Sequence, residues 1–150
     1  MIFKPTLKDI DSIQNLLAPF IADGIILKRD NDEIATNIRS YIAIKNENKI
    51  IAIGALHIYS MQLAEIRSLA VDINYQKQGL GKSIIIELEK EAKDLGISQL
   101  LTLTYQKEFF EKNGFIEIPK EKVPEHKVWS DCIKCPHFPN CNEISLIKHI

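Results

Sequence analysis

A short glycine-containing segment in the middle of the chain has a composition suited to binding an anion. It reads Gln76-Lys77-Gln78-Gly79-Leu80-Gly81-Lys82-Ser83. Before it, residues 64–71 alternate between apolar and polar and then become continuously apolar, which predicts a strand. After it, apolar residues at helical spacing predict a helix that ends at Gly96, since glycine commonly closes helices. The first amides of a helix have no intrahelical partner and lie at the positive end of its dipole. The segment therefore predicts a phosphate or pyrophosphate site.

Two common nucleotide-binding patterns do not fit this segment. A P-loop requires a glycine five positions before Gly81, where the chain has Gln76. A dinucleotide fingerprint requires a third glycine at the position of Ile84. The pattern that remains is Gln-x-x-Gly-x-Gly between a strand and a long helix. It resembles the acyl-CoA-binding motif of the GCN5-related N-acetyltransferase (GNAT) family.

The order of the predicted elements extends this resemblance over nearly the whole chain. Periodicity and turn residues predict strand–helix–helix–three strands–helix–strand–helix–strand–strand, which is the GNAT order. A second motif, Phe110-Glu111-Lys112-Asn113-Gly114-Phe115, resembles the family's Tyr-Glu-Lys-x-Gly-Phe pattern. The resemblance implies an α+β fold in α/β/α layers, with a mixed, mostly antiparallel sheet of about seven strands and about four helices, splayed at the acetyl-CoA site. We expect residues 1–150 to form one GNAT domain, with a cysteine-containing insertion at about 119–142 between the last two strands.

Individual elements can also be placed from the pattern. The first helix is predicted to run to about Pro19, and a second helix covers about 31–40. Strand alternation places Glu65, Arg67 and Leu69 on one face of the strand before the glycine segment.

The resemblance implies acetyl-CoA as co-substrate and assigns backbone groups to it. Splaying of the strand would leave the main chain of Leu69, Ala70 and Val71 able to pair with the pantetheine arm. The pyrophosphate would lie on amides of Gln76, Lys77, Gln78, Gly79, Leu80, Gly81, Lys82 and Ser83. Glycines at 79 and 81 would allow close approach, because a Cβ at either position would collide with the phosphate.

Acetyl transfer to an amine requires a neutral amine and a polarised carbonyl, and the departing thiolate can take up a proton. A free α-amine has a pKa of ~7.7–8.0, so the base must be well placed rather than strong. Glu65 lies four residues before the backbone assigned to pantetheine, and we assign it as general base, acting directly or through water. The alternative is an exposed strand glutamate paired with a lysine.

The general acid departs from the family pattern. The family's usual tyrosine falls at Phe110, which has no proton to give. Tyr105 and Thr104, at the end of the preceding predicted strand, are candidates to donate a proton or orient a water. Otherwise the thiolate leaves unassisted.

Cations near the predicted acceptor site point to an anionic substrate. Lys28 and Arg29 lie in the loop that borders the acceptor site in this family, and Arg67 lies on the active-site strand. Arginine binds carboxylates in a bidentate manner, so this set suits a dicarboxylic amino acid. His57 could contact substrate or orient Glu65, or be a core histidine.

Longer stretches sharpen the resemblance. They are residues 24–29, 54–59, 64–72, 103–105 and 127–132. These look like the short, stand-alone amino-acid N-acetyltransferases, which are similar to the acetyltransferase domain of N-acetylglutamate synthase. The resemblance implies L-glutamate as acceptor, in the first step of arginine biosynthesis, without an amino-acid-kinase-like regulatory domain. The alternatives are acetylation of another small amine or a protein N-terminus, and a non-catalytic acyl-CoA-binding module.

Three cysteines and a histidine cluster near the end of the chain. Cys132, Cys135, His137 and Cys141 form a ligand set that suits tetrahedral zinc. The histidine follows Cys135 too closely for the usual finger spacing. The alternatives are a proline-stiffened loop with reduced, partly buried thiols, and a redox-sensitive pair of Cys132 and Cys135.

Composition excludes other classes of protein. The net charge of −1 gives no basic face for nucleic acid. No apolar run approaches the ~20 residues that span a bilayer, and the N-terminus lacks a signal-peptide core, so we expect a cytoplasmic protein without a membrane partner. Homodimerisation is compatible with the resemblance but is not decided by the sequence.

Overall fold

The computed structural model describes residues 1–123 and 143–150. Its strands are β1 (Ile2–Phe3), β2 (Tyr41–Asn46), β3 (Lys49–Ile58), β4 (Leu63–Val71), β5 (Gln99–Thr104), β6 (Ile116–Ile118) and β7 (Ile144–His149). Its α-helices are α1 (Ile10–Ala22), α2 (Asn31–Thr36), α3 (Leu80–Leu95) and α4 (Lys107–Lys112). Short 3-10 turns cover Leu7–Asp9, Ile38–Ser40, Ile73–Tyr75 and Lys120–Lys122. The predicted order of strands and helices is confirmed.

The described strands form one mixed sheet in the order β1-β2-β3-β4-β5-β7-β6. Among these strands only β4 and β5 pair in parallel, as the connection through α3 allows. One buried cluster joins the sheet to α3 and α4, and a second joins the opposite face to α1 and α2. The predicted layered α+β fold is therefore confirmed.

Helix α3 packs closely on β3 because Gly54 lies beneath it. A Cβ on Gly54 would come within 2.6 Å of Ile84 Cγ2 and 3.2 Å of Leu88 Cδ1. Both of these side chains are fully buried. Burial of each such side chain contributes about 1.5–3 kcal/mol, so this contact fixes the helix on which the glycine segment opens.

The sheet splits between β4 and β5, as the resemblance implied. Pairing is confined to Leu63 with Gln99, Ala64 with Leu100, and Glu65 with Leu101. Just beyond, the buried Thr102 hydroxyl donates to the Ile66 carbonyl at 3.2 Å and marks the fork. From there to their ends, no ladder pair joins the two described strands.

A bulge in β4 overturns the predicted alternation. Ser68 has a φ of 57°, in the left-handed region. The register places Arg67 opposite Ala55 and Ala70 opposite Ile53, so two residues of β4 face the single residue Gly54. Leu69 consequently packs against the same cluster as Ile66, next to α3. The prediction that Leu69 shares a face with Glu65 and Arg67 is wrong.

The first two helices differ slightly from their predicted bounds. Helix α1 continues past Pro19 to Ala22, because the Pro19 carbonyl still accepts from Asp23 N at 3.1 Å. Helix α2 ends at Thr36, and the 3-10 turn Ile38–Ser40 completes the predicted segment. Within the described residues, each helix is too short or too polar to cross a membrane.

Candidate active site

A cavity of about 660 Å³ opens at the fork between β4 and β5. It brings together most of the residues selected from the sequence, namely Lys28, Arg29, Glu65, Arg67, Leu69, Ala70, Val71, Gln76, Lys77, Gly79, Leu80, Gly81, Lys82, Thr104 and Tyr105. Three of the selected residues, His57, Gln78 and Ser83, do not line it. The cavity thus joins the glycine segment to the acidic and basic side chains of β4.

The glycine segment folds into an open turn at the start of α3. Lys77 has a φ of 64° and Gly79, the N-cap of α3, has a φ of 83°. A Cβ on Gly79 would meet none of the described atoms within 4 Å. Gly79 offers no capping side chain, so the first amides of α3 keep their capacity to bind an anion.

Two side chains tie this turn to its surroundings. The Gln76 Nε2 donates to the Val71 carbonyl at 3.0 Å, at the end of β4. The Ser83 hydroxyl donates to the Gly79 carbonyl at 3.0 Å, within the first turn of α3. Both therefore contribute to the shape of the turn.

Packing against α4 requires a small residue at position 81, which the sequence did not reveal. A Cβ at this position would lie 3.1 Å from Cζ of Phe109 on α4. The Phe109 ring lines the cavity and lies directly against the turn. Small size at position 81 thus serves helix–helix packing, whereas the glycine at 79 is required by its left-handed backbone.

Glu65 is buried, with 2% of its surface exposed. The Tyr59 hydroxyl donates to Glu65 Oε1 at 2.7 Å. The alternative of an exposed strand glutamate is therefore wrong. A buried carboxylate that lines a cavity and is held by a phenol is an arrangement suited to a general base.

His57 lies beside Arg67 rather than on the cavity wall. The Arg67 guanidinium lies 2.8 Å from His57 Nδ1. A guanidinium can only donate, so Nδ1 is the acceptor in this contact. His57 also makes an edge contact with Tyr59, with ring centroids 4.9 Å apart.

The two neighbouring cations of the first loop differ in environment. Lys28 is exposed, whereas Arg29 is 7% exposed and pairs with Glu33 Oε2 at 2.5 Å. A guanidinium has five N–H donors, so this pair does not prevent Arg29 from binding a second carboxylate. Burial raises the pKa of Tyr41, and the nearby charges of Arg29 and Arg67 partly oppose that rise. Tyr41 consequently stays a neutral phenol beside both arginines.

The candidate acids occupy the end of β5. Thr104 Oγ1 accepts from Gln106 N at 2.8 Å, and Tyr105 is 37% exposed at the cavity. Phe110, where the family usually has tyrosine, is 3% exposed and makes edge contacts with Phe109 and Phe115. Its ring is thus part of the core packing.

Sequence reasoning missed three residues of this site. Tyr59 follows β3 by one residue, and its contact with Glu65 depends on a strand register that alternation alone does not give. Serine rarely adopts a left-handed backbone, so no signal marked Ser68. Phe109 was visible only as an apolar residue of a short helix.

The cysteine-rich segment lies outside the described residues. The candidate zinc ligands Cys132, Cys135, His137 and Cys141 all fall between residues 123 and 143. Within residues 1–123 and 143–150, no group of three or more His, Cys, Asp or Glu side chains could hold a metal ion.

Comparison with known proteins places the chain beside acetyltransferases. The sequence profile of the acetyltransferase (GNAT) family matches residues 10–115. An uncharacterized N-acetyltransferase of Chlorobaculum tepidum is 33% identical over 142 residues, covering 95% of this chain and 91% of that protein. An amino-acid acetyltransferase of Pasteurella multocida is 31% identical over 124 residues, which are 81% of this chain but only 28% of that longer protein.

A solved structure shows the same fold. N-acetylglutamate synthase from Neisseria gonorrhoeae, complexed with coenzyme A and N-acetyl-glutamate, superposes with a TM-score of 0.90 and 23% identity. The match covers 99% of this chain and 34% of that one.

Proposed function

Because the chain belongs to the acetyltransferase (GNAT) family, we propose that it transfers the acetyl group of acetyl-CoA to the α-amine of L-glutamate. This would be the first step of arginine biosynthesis, a cytoplasmic reaction, carried out by residues 1–150 as one domain. The observation that carries the proposal is that one cavity is lined by the glycine turn, by buried Glu65 and by the cationic side chains of Lys28, Arg29 and Arg67.

The fork and the turn fit coenzyme A. The cosubstrate supplies an acetyl thioester. Beyond the fork, β4 has no ladder pair with β5, and its main-chain groups at Leu69, Ala70 and Val71 would hold the pantetheine arm, apart from the Val71 carbonyl that accepts from Gln76 Nε2. The turn from Gln76 to Ser83 would hold the pyrophosphate, since a Cβ on left-handed Gly79 would meet no described atom within 4 Å and no side chain of Gly79 caps the first amides of α3.

Glu65 would accept the proton of the incoming ammonium. It lines the same mostly apolar cavity as the proposed pantetheine edge, and its side chain is buried. At neutral pH only a minor fraction of an α-amine with a pKa of ~7.7–8.0 is neutral, so a positioned base removes the proton where attack occurs. Tyr105 or Thr104 would donate to the departing thiolate.

The carboxylates of the amino acid would be bound by Arg67, Arg29 and Lys28. Glutamate carries two carboxylates, and two guanidiniums can each bind one in a bidentate manner. A polyamine would instead meet like charge on these residues. The similarity to an amino-acid acetyltransferase of Pasteurella multocida and to N-acetylglutamate synthase of Neisseria gonorrhoeae supports an amino-acid acceptor.

Thiol release from acetyl-CoA across a panel of free amino acids tests the proposal. Glutamate should be the preferred acceptor over aspartate, glutamine, lysine and spermidine. Arg67→Ala should raise the KM for glutamate about tenfold to a hundredfold, because it removes a charge-assisted hydrogen bond of about 1.5–3 kcal/mol. The exposed Arg39, whose backbone carbonyl accepts from Lys4, is the matched control, and Arg39→Ala should leave that KM unchanged.

The same panel can contradict the proposal. Preferred turnover of lysine or spermidine would keep the family and overturn glutamate as substrate. Thiol release that does not depend on any acceptor in the panel would overturn an amino-acid acceptor altogether.

A further inference from the structure

His57, near the end of β3, and Tyr59, directly after it, make diagonal contacts with the candidate active-site residues of β4. In the antiparallel register His57 lies opposite Glu65, yet its Nδ1 contacts Arg67, two residues further along. Tyr59 N donates to the Leu63 carbonyl, yet its hydroxyl reaches Glu65, again two residues further along. Diagonal neighbours on one sheet face are within reach of long and aromatic side chains. Each side chain of the β3 end thus bonds one candidate functional group of β4.

The two contacts are also joined to each other. The rings of His57 and Tyr59 meet edge to face at 4.9 Å. A continuous row therefore runs from the Arg67 guanidinium through His57 and Tyr59 to the Glu65 carboxylate. Arg67 and Glu65 line the cavity, whereas His57 and Tyr59 do not. Glu65 and Arg67 are thus placed at the cavity, and Tyr59 and His57 lie behind them.

We propose that Tyr59 and His57 are positioning residues, Tyr59 holding the Glu65 carboxylate towards the acceptor amine and His57 holding the Arg67 guanidinium towards the acceptor carboxylate. The inference rests on the proposed function, because it assigns Glu65 and Arg67 their roles in that reaction. Neither Tyr59 nor His57 lines the cavity. Each acts through its neighbour on β4.

The Tyr59 contact is compatible with a catalytic Glu65. A carboxylate has two oxygens and about four lone-pair sites, so Oε1 can accept from the phenol while the group still accepts from an amine or a water. A glutamate side chain turns about three bonds, and the phenol removes that freedom at the buried carboxylate. Loss of the phenol should therefore lower kcat with little effect on substrate binding.

The His57 contact makes a different prediction. An imidazole acceptor at 2.8 Å fixes the planar fork of Arg67, on which a bidentate carboxylate contact depends. Loss of the acceptor should therefore raise the KM for the amino acid with little effect on kcat.

The test for Tyr59 is a double-mutant cycle on the full chain. Tyr59→Phe should lower kcat about tenfold to a hundredfold, the range expected for misplacing a catalytic group, with the KM for glutamate within about twofold. In a Glu65→Gln background the same change should lower kcat less than about twofold, since a residue that acts through Glu65 has nothing left to position. Tyr75→Phe, which removes a phenol contacting Asn46 at 2.7 Å, is the matched control and should leave kcat unchanged.

The test for His57 uses two substitutions of similar size. His57→Leu removes the acceptor and should raise the KM for glutamate about tenfold. His57→Asn retains an acceptor oxygen near the position of Nδ1 and should bring the KM back to within about threefold of the wild type. The melting temperatures of all variants show whether a changed KM reflects destabilisation of the fold.

Several outcomes would overturn the proposal. For Tyr59 they are an unchanged kcat in Tyr59→Phe, or an equal loss in both backgrounds. For His57 the overturning result is a KM that rises equally in His57→Leu and His57→Asn. A wild-type enzyme without amino-acid-dependent turnover would overturn the proposed function instead. In that case crystal structures of the wild type and Tyr59→Phe still decide the positioning role, which fails if the Glu65 side chain keeps its conformation.

Discussion

Under the proposed function, Tyr105 would supply the proton that a tyrosine at the position of Phe110 usually supplies in this family. Phe110 occupies the family's tyrosine position, but its buried ring packs against Phe109 and Phe115. Tyr105 lies at the cavity, one residue beyond β5, with a phenol that can donate a proton. A thiol has a pKa of about 8.5, so its thiolate is already a fair leaving group near neutral pH. Protonation of the leaving group therefore contributes less to the rate of this reaction than it does in reactions with poorer leaving groups.

We expect Tyr105→Phe to lower kcat about tenfold, below the usual hundredfold or more for a general acid, because the thiolate leaves readily. The KM for acetyl-CoA should change little. Steady-state thiol release measures both constants. Thr104→Val is the comparison, and its effect on kcat should be smaller, since an aliphatic hydroxyl is a weaker acid than a phenol. An unchanged kcat in Tyr105→Phe would mean that the thiolate leaves without help.

Helix α3 begins and ends on glycines of nearly the same conformation. Gly79 at the N-cap has a φ of 83°, and Gly96 at the C-cap has a φ of 92°. At both positions a Cβ would meet nothing within 4 Å among the described atoms. Only Gly79 lines the cavity. The helix thus carries its own control for separating backbone strain from ligand binding.

Gly79→Ala and Gly96→Ala should each lower the free energy of unfolding by about 1–2 kcal/mol, the cost of a left-handed backbone for an L-residue. Only Gly79→Ala should also raise the KM for acetyl-CoA, because a shift of the turn moves the amides that would bind the pyrophosphate. Urea unfolding and thiol-release kinetics measure the two effects. Equal changes in KM for both variants would contradict a phosphate-binding role for the turn.

Elements with one dominant local signal could be predicted from the sequence, whereas side-chain pairing across strands could not. The spacing of Leu80, Ile84 and Leu88 was enough to place α3, and the turn before it was visible in Gly79. The bulge at Ser68 was not, because it arises from fitting β4 against β3 and reverses the face of Leu69. Contacts such as Tyr59 with Glu65 depend on that register, which alternation within one strand does not fix.

Across the whole molecule, two aspartates link the fold to pH. Asp72 accepts from Asn74 N and pairs with Lys49 at 3.0 Å, and the backbone hydrogen bond is the main reason its pKa is lowered from 3.8. The pKa of Asp9 is lowered likewise, chiefly by the backbone N–H of Thr6. Both carboxylates are thus ionised more readily in the folded chain than in the unfolded chain.

A lowered pKa contributes stability above the unfolded value, and that contribution is lost as pH falls through the folded one. We therefore expect the free energy of unfolding to fall below about pH 3.8, and the fall to be shallower in Asp72→Asn and Asp9→Asn. Urea unfolding between about pH 6 and about pH 2 measures it. Asp11→Asn, at an exposed position of α1, is the matched control. If the free energy of unfolding falls with pH as steeply in both test variants as in the wild type, these aspartates do not cause the pH dependence.

The fork between β4 and β5 makes the sheet an incomplete structure. Three residue pairs and the Thr102 hydroxyl join its two halves at one end, and the other end stands open. Under the proposed function the pantetheine arm would lie between the strands like an inserted strand and bond to main-chain groups that a ladder would otherwise use. The mechanical continuity of the sheet would then depend on occupancy. In each catalytic cycle, binding of the pantetheine arm would join β4 to β5 and its release would separate them again. The rigidity of the sheet would therefore change between the bound and the free state of the enzyme.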